Sequence, residues 1–374
     1  MAWIRSKEFY DYWEDKVDWF LGKHLEDIVV EGQENISNGR RVYVGNHKSD
    51  LDPLILGSRL RKLGQQLPVY AAGNNLLDIP ILGDKLKQMG AMRIDRARGY
   101  SKGYFSRLQS SIDKLISEGE HLAFYIEGGR SRDGKMKKSK LGLAEIVINT
   151  QENTSEDITI QPVSISYEWV PESKHFGNLQ AANDMMASRN WFYKIFGAIR
   201  YYANDFLALF GFMPLLFSVR PTGKAYLSFG KSIHVRDYTR LRRDERGAKL
   251  AQDIKHTIRM NYRNSGTERL AYTVRNAVKN KEDIDLPLSK ELNKAATIFI
   301  RKKVMKSYKP LAVRDKKVLN YYANGYVDDN AKELYKLGAA YLEKKDYHKA
   351  EDFFKRAITK DPELKDKVGG LFDK

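Results

Sequence analysis

Short apolar segments alternate with amphipathic ones from residue 40 to residue 235, and this alternation strongly constrains the fold. The apolar runs are typical of strands, and the segments between them have the periodicity of helices. Strands are predicted at 41–45, 68–72, 122–126, 158–167 and 225–233, and helices at 51–63, 79–89, 100–118, 141–149, 241–262 and 267–279. Strands that alternate with helices favour an α/β layered domain around a mostly parallel sheet.

Length and charge set further limits on the chain. Its 374 residues suffice for one large domain with an appendage. The formal net charge of +17 indicates an anionic partner, such as nucleic acid, an anionic membrane surface or phosphorylated substrates. There is no cysteine, which excludes a thiol nucleophile, disulfides and zinc sites with cysteine ligands.

Four parts are expected along the chain. They are an N-terminal aromatic amphipathic helix at 1–30, the α/β domain at 31–262, a helical extension at 263–330, and one tetratricopeptide-like repeat at 331–364. The last two form an all-α appendage. The repeat's consensus is matched by Leu334, Leu337, Gly338, Tyr341, Ala350, Phe354, Ala357 and Pro362. One such hairpin cannot bury its apolar face alone, so it must pack on neighbouring helices, another subunit or a partner protein.

A histidine and an aspartate lie together just after the first predicted strand, in the segment Asn-His-Lys-Ser-Asp-Leu-Asp-Pro at 46–53. On an ideal helix, His47 and Asp52 would be about 140° apart, so one regular helix cannot bring them together. They can meet if His47 lies in a loop and Asp52 in a first helical turn, where Pro53 is tolerated. Asp52 would then fix the tautomer of His47 and stabilise its protonated form. The alternative is a helix start with a surface histidine.

Three later segments lie in or next to further strand-like runs. They are Gly-Ala-Met-Arg-Ile-Asp-Arg at 90–96, Phe-Tyr-Ile-Glu-Gly-Gly-Arg-Ser-Arg-Asp-Gly at 124–134, and Pro-Val-Ser-Ile-Ser-Tyr-Glu at 162–168. With 46–53 they resemble the four sequence blocks of the glycerolipid acyltransferase superfamily. His47 and Asp52 match its signature of His, four residues and Asp. The third block is more similar to the glycerol-3-phosphate and dihydroxyacetone-phosphate acyltransferase branch, because the lysophosphatidate branch usually has Thr at position 129.

The sequence departs from this family pattern at two places. Lys48 stands where the glycerol-3-phosphate branch usually has Arg, and Arg93 and Asp95 interrupt a block that is normally more apolar or more basic. The resemblance covers about residues 40–235. It implies an O-acyltransferase that moves an acyl group from acyl-CoA or acyl-carrier protein to glycerol 3-phosphate, with His47 as general base and Asp52 as its orienting partner.

Candidate substrate contacts follow in the second and third blocks. Arg130, with Arg96, is a candidate clamp for the acceptor phosphate, because a guanidinium binds phosphate oxygens bidentately. The full set of predicted substrate-binding residues is Arg96, Glu127, Gly128, Gly129, Arg130 and Ser131, and Lys48, Arg93 and Arg132 are possible acceptor or membrane contacts. Glu127 either contacts acceptor hydroxyls or holds Arg130 in place. Pro162 is expected to form a turn that shapes the acyl pocket.

The apolar run at 206–219 is shorter than the roughly 20 residues that a membrane-spanning helix requires. With the aromatic segment 191–196 it fits either an interfacial hairpin or a buried helix pair. The predicted enzyme is therefore peripheral, on the cytoplasmic face of a membrane. The alternatives are a lysophosphatidate or lysophospholipid acyltransferase and, from another class, a repeat scaffold or nucleic-acid-binding protein. No metal site or nucleic-acid-reading module is recognisable, and no bound cofactor is implied.

Overall fold

The computed structural model describes residues 16–73, 77–78, 82–95, 101–172, 223–280 and 316–327, and residues 334–335, 338–339, 342, 347–365 and 368–369. These residues contain an eight-stranded sheet. Its strands are β1 (Asp27–Glu31), β2 (Arg40–Gly45), β3 (Val69–Gly73), β4 (Ala91–Ile94), β5 (Leu122–Tyr125), β6 (Ile158–Tyr167), β7 (Lys224–Phe229) and β8 (Ile233–His234). The strand order is β1-β7-β6-β2-β5-β3-β4, and β8 pairs with β6.

Most neighbouring strands in this sheet are parallel. β2 runs parallel to both β5 and β6, β3 runs parallel to β4 and β5, and β1 runs parallel to β7. Only the pairs that β6 makes with β7 and β8 are antiparallel in the described sheet. The predicted α/β domain with a mostly parallel sheet is confirmed. The carboxyl ends of β2, β5 and β6 consequently lie at one edge, where open α/β sheets bind their ligands.

Helices cover both faces of the sheet. They are α1 (Asp18–His24), α2 (Asp52–Lys62), α3 (Leu82–Gln88), α4 (Lys102–Ser117), α5 (Leu141–Glu152), α6 (Arg236–Thr239), α7 (Arg246–Met260), α8 (Gly266–Asn280), α9 (Lys316–Gly325) and α10 (Tyr347–Lys360). Successive residues of β2 point to opposite faces. Tyr43 therefore joins a core with α2, α8 and α9, whereas Val42 and Val44 join a second core with α4, α5 and α7.

Two observed features differ from the sequence-based expectations. The sheet begins at Asp27, inside the segment that was assigned to the N-terminal helix, because β1 pairs in register with β7. The expected turn at Pro162 is wrong, since this residue lies within β6 opposite Val44. Proline has no backbone N–H to donate. The Pro162 carbonyl accepts from the Gly230 N–H at 2.9 Å, on the side of β6 where β7 has ended and β8 has not yet begun. A proline is tolerated in a strand where no ladder bond is lost.

The C-terminal part is helical in the residues that are described. Leu334, Ala357 and Leu364 form a small apolar cluster, and Met260 of α7 packs against it. Lys231 Nζ also lies 3.1 Å from the Glu363 carboxylate. Of the three packing alternatives for the repeat, the structure therefore exhibits packing on a neighbouring helix. A methyl group at Gly338 would lie 2.7 Å from the Phe354 ring, which explains why the consensus has glycine there.

Several predicted segments lie outside the described residues. These are residues 1–15 of the N-terminal helix, the aromatic segment 191–196 and the apolar run 206–219. Across the part of the chain that the structure describes, no helix combines the length and the apolar character that crossing a membrane requires. The domain boundaries at 262 and 330 stay predictions.

Candidate active site

The loop after β2 is fixed to the neighbouring strand before it reaches the predicted catalytic pair. The Asn46 side chain donates to the Ile165 carbonyl at 2.9 Å and accepts from the Ile165 N–H at 2.8 Å. The chain then turns, and α2 begins at Asp52 with Pro53 in its first turn. This arrangement brings His47 Nδ1 to 2.7 Å from Asp52 Oδ2. The two residues therefore meet across the loop-to-helix junction that their spacing requires.

Asp52 is fully buried, and its carboxylate has a complete set of donors. Besides His47, the backbone N–H groups of Lys48 and Ser49 donate to Oδ2, at 2.7 and 3.1 Å. The Tyr167 hydroxyl donates to Oδ1. Burial, followed by the nearby Asp52 charge, holds the pKa of Tyr167 well above its usual value, so this hydroxyl stays protonated. Four donors therefore satisfy the oxygens of a carboxylate that is buried away from water.

His47 is held in one orientation by contacts on several sides. Because the ionised Asp52 oxygen only accepts hydrogen bonds, His47 Nδ1 must carry the proton, which leaves Nε2 as the basic nitrogen. The imidazole stacks on the Tyr125 ring with centroids 4.0 Å apart and planes 10° apart. The His47 carbonyl accepts from Ser131 N–H at 2.8 Å. The imidazole is 14% exposed, so this preorganised base has access to solvent.

Glu127 links two loops of the site. Its carboxylate accepts from the His47 N–H at 3.1 Å and from the Lys137 N–H at 2.7 Å. Burial raises the pKa of Glu127, and these two hydrogen bonds act in the opposite direction. Glu127 thus ties the His47 loop to the basic loop that follows β5, and its expected contacts with acceptor hydroxyls or with Arg130 stay predictions.

Arg130 lies in an ionic network that the sequence did not reveal. Its guanidinium donates to Asp50, and Nη1 lies 3.8 Å from Glu172 Oε1. The Glu172 carboxylate also accepts from the Asp50 N–H at 2.9 Å and from the Ser49 hydroxyl at 2.9 and 3.1 Å. Burial, and then the Asp50 charge, raise the pKa of Glu172. An incoming phosphate would compete with Asp50 for the guanidinium.

The same network holds the hydroxyl of Ser49, which lies two residues after His47. Its hydroxyl is buried and donates to Glu172, and it also accepts from the Leu51 N–H at 3.1 Å. These contacts direct the hydroxyl to the carboxylate network.

The other predicted residues have varied positions. Gly128 has φ +66°, a left-handed conformation that favours glycine, and Gly129 is half-buried beside it. Ser131 is buried, and its hydroxyl donates to the Lys135 carbonyl at 2.8 Å, which shapes the loop. Arg132 is half-buried in that loop. Arg93 forms an exposed ion pair with Asp78 at 2.6 Å, and Arg96 lies outside the described residues.

The Lys48 side chain is buried in the interior of the protein. Its ammonium is buried, and it donates to the Gly134 carbonyl at 2.9 Å and lies 3.5 Å from Glu268. The expectation that Lys48 contacts the acceptor or the membrane stays a prediction. Lys48 thus pairs with a buried carboxylate, that of Glu268, which lies more than two hundred residues further along the sequence.

The sequence blocks did not indicate three residues of the site, which are Tyr125, Tyr167 and Glu172. Tyr125 and Tyr167 are the last residues of β5 and β6, the two strands that flank β2. That position was a usable signal, because the ends of neighbouring parallel strands converge. Glu172 lies beyond the fourth block, and no local pattern distinguishes it. Within the described ranges, no group of three or more His, Cys, Asp or Glu residues could hold a metal ion.

Comparison with known proteins agrees with this geometry. A family model described as Acyltransferase matches residues 27–166, which contain His47, Asp52 and the first three blocks completely. A second model, Tetratricopeptide repeat, matches residues 331–364, so the predicted repeat is confirmed. The acyltransferase match ends within β6, before β7 and β8 complete the sheet.

Bacterial relatives of the acyltransferase domain are named glycerol-3-phosphate acyltransferase. One from Pseudomonas fluorescens (strain Pf0-1) is 32% identical over 190 residues, covering 49% of this chain and 23% of the relative. One from Pseudomonas putida (strain GB-1) is 29% identical over 264 residues, covering 69% of this chain and 29% of the relative. The chain thus spans less than a third of their length. A solved 1-acyl-sn-glycerophosphate (LPA) acyltransferase from Thermotoga maritima aligns with a TM-score of 0.38 and 17% identity, over 67% of this chain and 78% of that one.

Proposed function

We propose that this chain is an O-acyltransferase that moves a fatty acyl group from a thioester to the hydroxyl of glycerol 3-phosphate. The observation that carries the proposal is the pairing of His47 with the buried Asp52, which leaves Nε2 as an oriented base. The name shared by the bacterial relatives supports glycerol 3-phosphate as the acceptor. Acyl-CoA and acyl-carrier protein are the candidate donors.

The reaction needs a base for the alcohol and an acid for the leaving thiolate. His47 Nε2 takes the acceptor's hydroxyl proton as the alcohol oxygen attacks the thioester carbonyl carbon. The tetrahedral intermediate then collapses, the carbon–sulfur bond breaks, and the imidazolium returns its proton to the thiolate. Asp52 stabilises the transient imidazolium, as the aspartate of a hydrolase triad does. The products are the acyl ester and the free thiol.

The acceptor phosphate would bind beside this base. Arg130 supplies a guanidinium that is 30% exposed, and Arg96 is its proposed companion. Gly128 and Gly129 allow the backbone to approach the phosphate closely. Lys137 lies next to the clamp, since its ammonium donates to the Arg130 carbonyl. Together these groups form a cationic site of the kind that phosphorylated substrates require.

Two alternatives are less well supported. A lysophosphatidate acceptor would fit the same clamp, but Gly129 stands where that branch usually has Thr, and the relatives carry the glycerol-3-phosphate name. A repeat scaffold or nucleic-acid-binding protein has no need for a buried carboxylate with four donors beside a histidine.

A thiol-release assay tests the proposed reaction directly. Purified protein is incubated with acyl-CoA or acyl-carrier protein and with glycerol 3-phosphate, dihydroxyacetone phosphate or lysophosphatidate. We expect release that depends on glycerol 3-phosphate. Release with lysophosphatidate alone would establish the alternative acceptor, and no release with any acceptor would refute the acyltransferase proposal.

Replacing Tyr167 with phenylalanine should lower kcat roughly tenfold without changing either KM. The substitution removes one of the donors to Asp52, and hydrogen bonds to charged groups typically contribute about 1.5–3 kcal/mol. Tyr43→Phe is a matched control, because Tyr43 belongs to the same apolar core and its buried hydroxyl has no hydrogen-bond partner. If both variants keep the original kcat, Tyr167 does not position the base.

We also propose that the protein docks reversibly on the cytoplasmic face of an anionic membrane. The aromatic segment 191–196, the apolar run 206–219 and the net charge of +17 support this location. Each Lys or Arg near such a surface contributes about 1 kcal/mol. Co-sedimentation with anionic vesicles should therefore weaken as salt rises, and weaken further when Phe210 and Phe212 are replaced by serine. Full solubility at low salt, or release by detergent alone, would contradict reversible docking.

A further inference from the structure

Lys48 connects the catalytic loop to helices that follow the family-matched residues. Its ammonium lies 3.5 Å from Glu268 Oε1 and 5.2 Å from the centroid of the Tyr262 ring. It also donates to the Gly134 carbonyl at 2.9 Å. Its own backbone N–H donates to Asp52 Oδ2, the oxygen that binds His47. A movement of the Lys48 side chain would therefore be transmitted to the catalytic pair.

Glu268, in the first turn of α8, is built into this contact. It is 3% exposed, and it accepts from the Tyr262 hydroxyl at 2.6 Å and from the Ser265 N–H at 3.1 Å. Burial raises the pKa of Glu268, and Lys48 lowers it. Removing either member of a buried ion pair leaves an uncompensated charge. The pair is thus a specific connection between α8 and the His47 loop.

The C-terminal end of helix α9 contacts the loop at residues 131–134. Asn324 Nδ2 donates to the Asp133 carbonyl at 2.9 Å. A methyl group at Gly134 would lie 1.9 Å from the Tyr321 carbonyl oxygen, so the loop packs directly on the helix backbone. This loop also contains Ser131, whose N–H binds the His47 carbonyl. Two helices therefore hold the catalytic loop by separate routes.

We propose that α8 and α9 are part of the catalytic site, with Glu268 and Asn324 as positioning residues. Glu268 holds Lys48, and Asn324 holds Asp133. Together they keep the His47 imidazole within hydrogen-bonding distance of Asp52. The inference rests on the proposed acyltransferase function. It extends the functional unit beyond residue 166, where the acyltransferase match ends, to the helix at Lys316–Gly325.

The test compares Lys48→Met, Glu268→Gln and the double variant in the full-length protein. Misplacing a catalytic group by about 1 Å can cost roughly 10²-fold. We expect each single variant to lower kcat about 10- to 100-fold with both KM values unchanged. Because the two residues act as one unit, the double variant should be no slower than the slower single variant.

A second pair of variants perturbs the contact without removing a charge. A methyl group at Gly325 would lie 2.6 Å from Glu268 Oε1 and 3.0 Å from Lys48 Nζ, so Gly325→Ala should displace both side chains and lower kcat. Gly142→Ala is the control, because nothing lies within 4 Å of a methyl group there. Its kcat should equal that of the unmodified protein.

A readout without substrate separates this inference from the proposed function. Diethyl pyrocarbonate modifies accessible imidazoles, and peptide mass spectrometry gives the modification rate at His47. The rate should rise in Lys48→Met, Glu268→Gln and Gly325→Ala but not in Gly142→Ala. An inactive unmodified protein would refute the acyltransferase proposal, whereas the modification rates would still test the positioning.

Three results would overturn the positioning role. One is that Lys48→Met and Glu268→Gln both keep the original kcat and the original modification rate of His47. This would hold even if their Tm were lower. Another is a raised acceptor KM at constant kcat in Lys48→Met, which would make Lys48 an acceptor contact. The third is additive losses in the double variant, which would show that the two residues act independently.

Discussion

Alanine in place of His47 should lower kcat about 10²–10⁴-fold, the range that general acid–base catalysis contributes. The physical reason is the loss of Nε2, the basic nitrogen whose proton affinity Asp52 supports through Nδ1. Asp52→Ala should produce a similar loss, because the imidazole would lose its tautomer control. Both are measured as acceptor-dependent thiol release at saturating substrates.

The fold must be checked separately for these two variants. His47 is 14% exposed, so His47→Ala should retain the circular dichroism spectrum and Tm. Asp52→Ala leaves buried donors unpaired and should also lower Tm. His256→Ala is the matched control, since His256 is exposed on α7 and should keep full activity. Near-normal turnover of folded His47→Ala would refute the mechanism.

Arg130→Ala should lower kcat/KM for the acceptor about 10- to 100-fold and leave the KM of the donor unchanged. Hydrogen bonds to charged groups contribute about 1.5–3 kcal/mol, and about 1.4 kcal/mol corresponds to a factor of ten. Arg130→Lys should recover only part of this loss, because an ammonium cannot form the bidentate contact. Full kinetic curves for both substrates give the measurement.

The control for Arg130 must remove a positive charge elsewhere. Arg242 is 74% exposed and pairs with Asp244, so Arg242→Ala changes the net charge by the same amount outside the site. It should leave acceptor kinetics unchanged. Equal losses for donor and acceptor in Arg130→Ala would show instead that Arg130 stabilises the network of Asp50 and Glu172.

Features with a local physical cause were predicted well from the sequence. Strand β6 was predicted at its observed bounds, and β2 and α2 within one residue at each end, because apolar periodicity reflects burial directly. The meeting of His47 and Asp52 also follows from local reasoning. Helical geometry forbids their contact on one helix, and Pro53 limits where the helix can begin.

Contacts between residues that are distant in the sequence were not predicted. Glu127 and Lys48 carry charges next to catalytic blocks, which suggested substrate contacts. In the structure, Glu127 binds backbone N–H groups of two loops, and Lys48 pairs with Glu268. The strand containing Pro162 was predicted, but its proline was read as a turn because the gap between β7 and β8 was unknown.

The sequence by itself determined the α/β class, the pairing of His47 with Asp52 and the C-terminal repeat. Each depends on residues that are close along the chain, where spacing alone fixes which side chains share a face. Only the tertiary structure decided that Tyr167 completes the Asp52 site, that Asp50 and Glu172 engage Arg130, and that Glu268 anchors Lys48. These contacts join segments that are distant in sequence, and strand order and helix packing bring them together. No local periodicity encodes that order.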